Sequence, residues 1–307
     1  MITKIIAFCI ACSLPLFFIG VINRTKAVWA GRKGATVLQP YYDLSRLLGK
    51  GEVLSKTTSY VFRIAPSVNV AAVLYAFLII PLPYFGSLIS FPGDFIVFAY
   101  SLGLAKFLLV LAALDTGSSF EGMGASREVT FSTLVETAFF IVLGTLALLT
   151  DQTSFAAMFT VLTASAGYSL LVKILLVASL FIMLLAEGSR VPVDDPNTHL
   201  ELTMIHEVMI LDYSGPDLAF LLYAASMKMM LIALLIVQLC IPPLTPPLVV
   251  LPVFLVLLLL VFCTVGIVES LIARSRMSHV PQFIFLMTAL SLTAFAVVAF
   301  YLLGGLS

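Results

Sequence analysis

The chain reads as a series of long apolar runs separated by polar stretches. An α-helix rises 1.5 Å per residue, so about 20 apolar residues cross the ~30 Å hydrocarbon core of a bilayer. Runs of that length occur at approximately 4–23, 66–90, 95–114, 129–150, 167–187, 217–241, 248–271 and 281–304. They predict an all-α fold, a polytopic bundle of about eight transmembrane helices forming one integral membrane domain over 1–307. The first run, Ile5 to Ile22, exceeds a signal-peptide core and meets Asn23-Arg24 without a small-residue cleavage site, so it is expected to be the first span. The prolines from Pro242 to Pro247 predict a tight connection between the sixth and seventh spans.

Composition agrees with that reading. Of 307 residues, 61% are hydrophobic and 10% charged, and the mean hydropathy is +1.15. Soluble domains carry roughly 25% charged residues. A formal charge of +0 excludes a generally basic nucleic-acid binder. Lys and Arg then orient the bundle. The 24–65 loop holds eight of them, Arg127 follows span 3, Arg190 follows span 5, and Arg274 with Arg276 follows span 7, while the intervening loops hold none. Positive charge favours the cytoplasm, so the loops at about 24–65, 115–128, 188–216 and 272–280 are expected there and both termini outside.

A charge inside a span costs roughly 3 kcal/mol and calls for a partner, water or a purpose. Glu136, Lys106, Lys173, Lys228 and Glu269 fall within spans, and Glu128 precedes Glu136 by eight residues, which puts both on one broad helix face. Two readings stay open: pairs that lock the bundle, or a file of titratable groups along which protons or charge-driven changes pass.

The segment after span 5 runs Glu187…Arg190-Val191-Pro192-Val193-Asp194-Asp195-Pro196 and opens a predicted helix from Asn197 to about Leu211. Its apolar side carries Leu200, Met204, Ile205, Val208, Met209 and Leu211, and its polar side His199, Thr203, His206 and Glu207. The helix is expected to lie at the membrane surface or tucked under the bundle. Seven acids between 187 and 217, against Arg190 alone, would be repelled by anionic lipid, so docking to a protein or feeding protons fits better. The H-x6-H spacing of His199 and His206 is not that of a zinc helix, and both are read as surface polar positions. The Cys9-x-x-Cys12 pair sits in an apolar helix and is read as packing. A second amphipathic helix is expected around Tyr41–Leu48, with Tyr41, Leu44, Leu47 and Leu48 towards the membrane and Asp43, Arg46 and Lys50 towards water. The stretch 115–128 reads as a Gly/Ser loop without a phosphate-binding pattern.

Four motifs, in order, resemble one family. Arg32-Lys33-Gly34 followed by Leu38-Gln39-Pro40…Asp43…Leu47-Leu48 is the first. Leu114-Asp115-Thr116-Gly117-Ser118 with Gly124-Ala125-Ser126-Arg127-Glu128 and Val135-Glu136 is the second. Glu187…Arg190-x-Pro192-x-Asp194 with Tyr213-Ser214-Gly215 is the third, and Glu269…Ala273-Arg274 the fourth. Together they are similar to the eight-helix membrane subunit shared by respiratory complex I and by group 4 energy-converting NiFe hydrogenases, on the hydrogenase-4 and formate hydrogenlyase side. Departures include Val193 where Phe is usual and Asp212 where Glu is usual.

The resemblance implies a connector in the cell inner (cytoplasmic) membrane, with no catalytic residue, metal or cofactor of its own. Its partners would be a NiFe-hydrogenase-like large subunit, an Fe-S small subunit and antiporter-like membrane subunits, so that the NiFe centre and 4Fe-4S clusters belong to those neighbours. The implied proton-pathway or coupling residues are Glu128, Glu136, Glu187, Asp194, Glu201, Glu207, Lys228 and Glu269. The implied docking residues for the soluble arm are Arg32, Lys33, Asp43, Arg46, Arg127, Arg190, Asp195 and Tyr213. Two alternatives remain at this point: a complex I subunit shaping a quinone site, and a free-standing ion transporter, which the lack of a visible internal repeat disfavours.

Overall fold

A computed structural model describes residues 2–164, 169–194, 204–241 and 247–304. Within them the chain forms α1 (Ile2–Trp29), α2 (Gln39–Leu48), α3 (Tyr60–Ile79), α4 (Asp94–Asp115), α5 (Ser119–Thr150), α6 (Phe155–Ala164), α7 (Ser169–Glu187), α8 (His206–Met209), α9 (Gly215–Cys240), α10 (Pro247–Leu271) and α11 (Val280–Gly304). Eight of these, α1, α3, α4, α5, α7, α9, α10 and α11, are long and apolar enough to cross a membrane. The expected all-α bundle of about eight spans is therefore present. Residues 195–203 and 242–246 lie outside the described residues, and with them Asp195, His199, Glu201 and most of the proline-rich connection.

α9 is the post around which the rest is arranged. Every residue from Met229 to Leu239 is buried, as expected of a helix that is apolar all round and enclosed by others. It touches α1, α2, α3, α7 and α10, while α11 packs against α5 and α7, and α3 lies along α4. The outer helices α10 and α11 turn large apolar side chains such as Leu255, Leu260, Phe285 and Phe300 outward, which is where lipid replaces protein as solvent.

Two boundaries differ from the hydropathy reading, each for a local reason. α3 starts at Tyr60, not near 66, because the Ser59 side chain accepts a hydrogen bond from Val61 N and caps the helix. It ends at Ile79 because Ile80 precedes Pro81 and takes an extended conformation; the apolar run beyond it folds into a turn with Leu82 paired to Gly86. The second difference is the Gly/Ser stretch 115–128, most of which is helical. Gly117 at φ 71° makes the turn, and α5 begins at Ser119. Gly124 lies inside α5 because α8 rests against it: a side chain there would collide with Val208. Gly124 is thus a packing device, not a loop signal.

α2 forms where expected, but two of its apolar residues, Leu44 and Leu47, line a cavity beside α1 and α9 instead of facing outward. The Tyr41 hydroxyl donates to the Ser13 carbonyl of α1. Of the Asn197–Leu211 prediction only residues 204–211 are described; there the chain is helical in a single buried turn, α8, and Leu211 beyond it is exposed. His206, read as a surface position, is buried.

The ends of α4 separate the two faces of the bundle. At one end the Asp94 carboxylate accepts from Phe155 N, 2.8 Å away and four residues after Asp151; at the other Asp115 accepts from Ser59 N, 2.7 Å away. Single cysteines at Ser55 and at Asp151, in a background lacking Cys9, Cys12, Cys240 and Cys263, are expected to react with a membrane-impermeant thiol reagent from opposite sides, Ser55 from the cytoplasm. Labelling of both from one side would contradict the eight-span topology.

Candidate functional site

α7 ends on an acid. A carboxylate at a helix C-terminus meets the negative end of the helix dipole, so it needs positive charge nearby. Glu187 has two sources. Its Oε1 accepts from Lys106 Nζ of α4 at 2.5 Å, and its Oε2 from Lys228 Nζ of α9 at 3.1 Å. Lys106 Nζ also lies 3.8 Å from Glu128 and 3.9 Å from Glu136, both on α5. Four helices are thus joined by five charged side chains, and four of the five are 15% exposed or less. Glu136, at 46%, is the exception. Beside the cluster, buried Asn69 of α3 donates to the Ala105 carbonyl and ties α3 to α4.

Seven residues further on, a second network begins. Asp194, 1% exposed, accepts from Arg274 at 2.8 Å through Oδ1. Its Oδ2 accepts from the backbone N–H groups of Ile205 at 3.0 Å and His206 at 3.3 Å. Arg190 donates to Glu269 at 3.3 Å, and Lys26 of α1 lies 2.8 Å from the same carboxylate. Turns within 185–194 carry the chain from one network to the other: Arg190 N donates to Leu185 O, and Asp194 N to Arg190 O. Asp194 therefore fixes the start of α8 as an acceptor of its free amide donors.

That anchoring places His206 between the networks. Burial, then the neighbouring Lys228, drives its imidazole down to about 3, partly offset by Glu187. The ring is neutral at physiological pH, and its Nε2 is buried with no hydrogen-bond partner among the described residues. Tyr213, just before α9, stacks on Phe62 with ring centroids 3.9 Å apart and donates to the Phe62 carbonyl. Its phenol is pushed up by burial first, then by Asp217, Glu121 and Asp115.

A cavity of about 260 Å³ opens beside these groups. Glu187, Arg190, His206 and Glu207 contribute polar atoms, and Leu16, Leu44, Leu47, Leu222 and Met229 line the apolar part. α2 forms one wall through Asp43 and Leu44.

The structure brings together Glu128, Glu136, Glu187 and Lys228 in the inner cluster and Asp194, Arg190 and Glu269 in the outer one. Glu207 lines the cavity. Of the residues expected to dock a soluble arm, Arg32, Lys33 and Arg46 are exposed, and Asp43 is paired with Arg46 at 2.8 Å. Arg190 and Tyr213 are buried within the fold, and Arg127 donates to the Met204 carbonyl. Lys106, one of the charges that the sequence places within a span, is the hub: it meets Glu128, Glu136 and Glu187. His206, Arg274 and Lys26 also belong to the site, without having been expected there. Only Arg274 had a sequence signal, its place in the Glu269…Arg274 motif; the position of His206 depends on a long-range contact with Asp194. Among the described residues no group of three or more His, Cys, Asp or Glu could hold a metal ion.

Known proteins share this arrangement of helices. The sequence profile described as NADH dehydrogenase matches residues 2–299. The chain belongs to the NADH dehydrogenase family. Within that family it is similar to Hydrogenase-4 component C of Escherichia coli (strain K12), 31% identical over 288 residues that cover 91% of this chain and 90% of the relative. It is also similar to Formate hydrogenlyase subunit 4 of the same organism, 30% identical over 224 residues, 73% of this chain and 72% of the relative. In fold it matches a chain of the membrane-bound sulfane sulfur reductase, an archaeal respiratory membrane complex, with a TM-score of 0.83, 20% identity and coverage of 96% and 98% of the two chains. The chain is a multi-pass membrane protein of the complex I-like type, and its relatives are subunits of larger membrane assemblies.

Below the unfolded pKa of His206, about 6.5, the unfolded chain takes up a proton that the native ring refuses until about pH 3. Stability therefore falls as pH drops through that window, by about 1.4 kcal/mol per unit from this group. Thermal midpoints in detergent at pH 7 and pH 5 should converge in His206→Gln relative to wild type; an unchanged difference would contradict the buried neutral ring. Removing the buried Asp194 carboxylate by Asp194→Ala is expected to cost about 3 kcal/mol, whereas Arg46→Ala, at a pair that is 70% and 44% exposed, should cost no more than about 1 kcal/mol. Equal losses in the two variants would contradict the assignment.

Proposed function

We infer that this chain is the connector of its complex. It anchors a soluble redox arm of NiFe-hydrogenase and Fe-S type on its charged face and couples that arm to antiporter-like subunits that move protons or Na⁺ through the inner membrane. The observation that carries this reading is the continuity of charge. From Arg274–Asp194 through the 187–194 turns to Glu187, Lys106, Glu128 and Glu136, ionisable groups lead from the loop face into the bundle. Such groups are costly at membrane depth and are retained where charge movement or partner contact needs them. Relatives that are components of hydrogenase-4 and formate hydrogenlyase support placing the redox chemistry in neighbouring subunits.

The exposed Arg32, Lys33 and Arg46, on the loop face, are the residues available to hold the arm. Asp194 and Arg190, being buried, act by shaping the face from within. A second reading, a quinone headgroup in the cavity near His206, rests on that cavity alone; at about 260 Å³ it falls below the roughly 300–1,000 Å³ usual for ligand pockets.

The test uses the intact complex in proteoliposomes. Glu128→Gln keeps the side-chain shape but cannot release a proton, so redox turnover with soluble donors should continue while the number of ions moved per electron falls severalfold. An unchanged ratio would assign Glu128 to bundle locking. Arg32→Glu combined with Lys33→Glu should release the soluble arm from a membrane part that stays assembled, and retention of the arm would contradict the docking assignment.

A further inference from the structure

Among the described residues the inner cluster holds three carboxyl groups, Glu128, Glu136 and Glu187, beside two lysines, Lys106 and Lys228, so the acids outnumber the lysines by one. The three acids are not held alike. Glu187 touches both lysines at hydrogen-bonding distance, and Glu128 is 15% exposed. Glu136 makes the longest contact with Lys106, 3.9 Å, and 46% of its side chain is open to the outside of the bundle. It lies seven residues inside the apolar run 129–150, about 10 Å from the start of that run, so its open side is within the span and not at its end.

The surface beside Glu136 is equally unusual for a lipid-facing wall. Ser126, Thr130, Thr133 and Thr137 recur at spacings of four, three and four, which puts them on one side of α5, and all four are exposed. Each hydroxyl donates to a carbonyl of its own helix: Met123, Ser126, Val129 and Thr133 in turn, at 2.8–3.0 Å. With its donors satisfied, the stripe is small and flat, the kind of surface on which membrane helices pack closely. Glu136 is the i+3 neighbour of Thr133 on the helix surface. The Phe140 ring, four residues on, lies 5.7 Å from that of Tyr100 of α4 and marks the far edge.

We propose that this side of α5 seats a membrane-spanning helix of a partner subunit that presents a lysine or arginine to Glu136. The basic group pairs with the acid that this chain's own lysines hold most loosely, and the hydroxyl stripe lets the two backbones approach. The proposal rests on the reading of this chain as one subunit of a membrane complex and adds which face the membrane partner uses and what chemistry it brings.

The experiment places a photo-crosslinking amino acid at Thr137 in the intact complex in native membranes, with Leu255 on the outward face of α10 as the comparison site. Thr137 is expected to yield one adduct with a spanning helix of another subunit, with a Lys or Arg within about two turns of the linked residue; Leu255 should not link to that helix. Glu136→Lys should then reduce recovery of that subunit in the detergent-purified complex at least tenfold, with Glu136→Gln intermediate. Exchanging the partner's basic residue for Glu should restore recovery with Glu136→Lys. An adduct with lipid only, with a second copy of this chain, or with a helix lacking a basic residue would overturn the proposal, as would full recovery of the partner with Glu136→Lys. The charged-face reading fails through a different observable, retention of the soluble arm in the Arg32→Glu, Lys33→Glu chain, so the two can fail separately.

Discussion

Glu187 sits where α7 ends, and its two oxygens are each committed to a lysine from a different helix. A carboxylate in that position opposes the helix dipole and loses its hydration, and both penalties are offset by Lys106 and Lys228. The lysines in turn are held deep in α4 and α9 by this one acid. Breaking a buried pair by removing a single partner typically costs 3–5 kcal/mol, so the register of α4, α7 and α9 relative to one another depends on it. Lys106 then extends the constraint to α5 through Glu128 and Glu136.

The rest of the loop face is arranged from that point. The chain leaves Glu187, turns through Arg190 and reaches Asp194 within seven residues. Arg190 is tied to α1 and α10 through Glu269 and Lys26, and Asp194 to Arg274 and to the amides that start α8. The two networks therefore share a covalent strut and a packed one, α8, which presses Val208 against Gly124. His206 occupies the gap between them as an uncharged ring. Burial grades across the site: the Asp194 and Glu269 carboxylates are enclosed by protein, Lys26 and Arg274 are part-exposed, and Glu136 is the most open.

Much of this was legible in the residues, and for identifiable reasons. The eight spans follow from apolar runs longer than the bilayer requires, and the depth of Glu136, Lys106 and Lys228 follows from their place within those runs. The motif order led to the family. What hydropathy could not supply was whatever depends on contacts distant in sequence. The Gly/Ser stretch reads as a loop until α8 is seen to fill the space at Gly124. His206 reads as a surface position because its helix was expected to present a polar side to water, whereas Asp194 draws its backbone under the bundle. α2 was predicted from its own amphipathic pattern, but that pattern does not say whether the apolar side meets lipid or, as it does for Leu44 and Leu47, a cavity wall. Arg190 and Tyr213 lie in a charged loop that the resemblance makes a docking face, and their burial appears only once Glu269 and Phe62 are placed beside them.

The bridging role of Glu187 is most directly tested by a double-mutant cycle between Glu187→Gln and Lys228→Met, measured as the stability of the purified complex in detergent. If the two side chains interact as described, the double variant should be more stable than the sum of the single losses allows, with a coupling of at least about 1 kcal/mol. Additive losses, within about 0.3–0.5 kcal/mol, would mean that the two charges do not meet and would contradict the account.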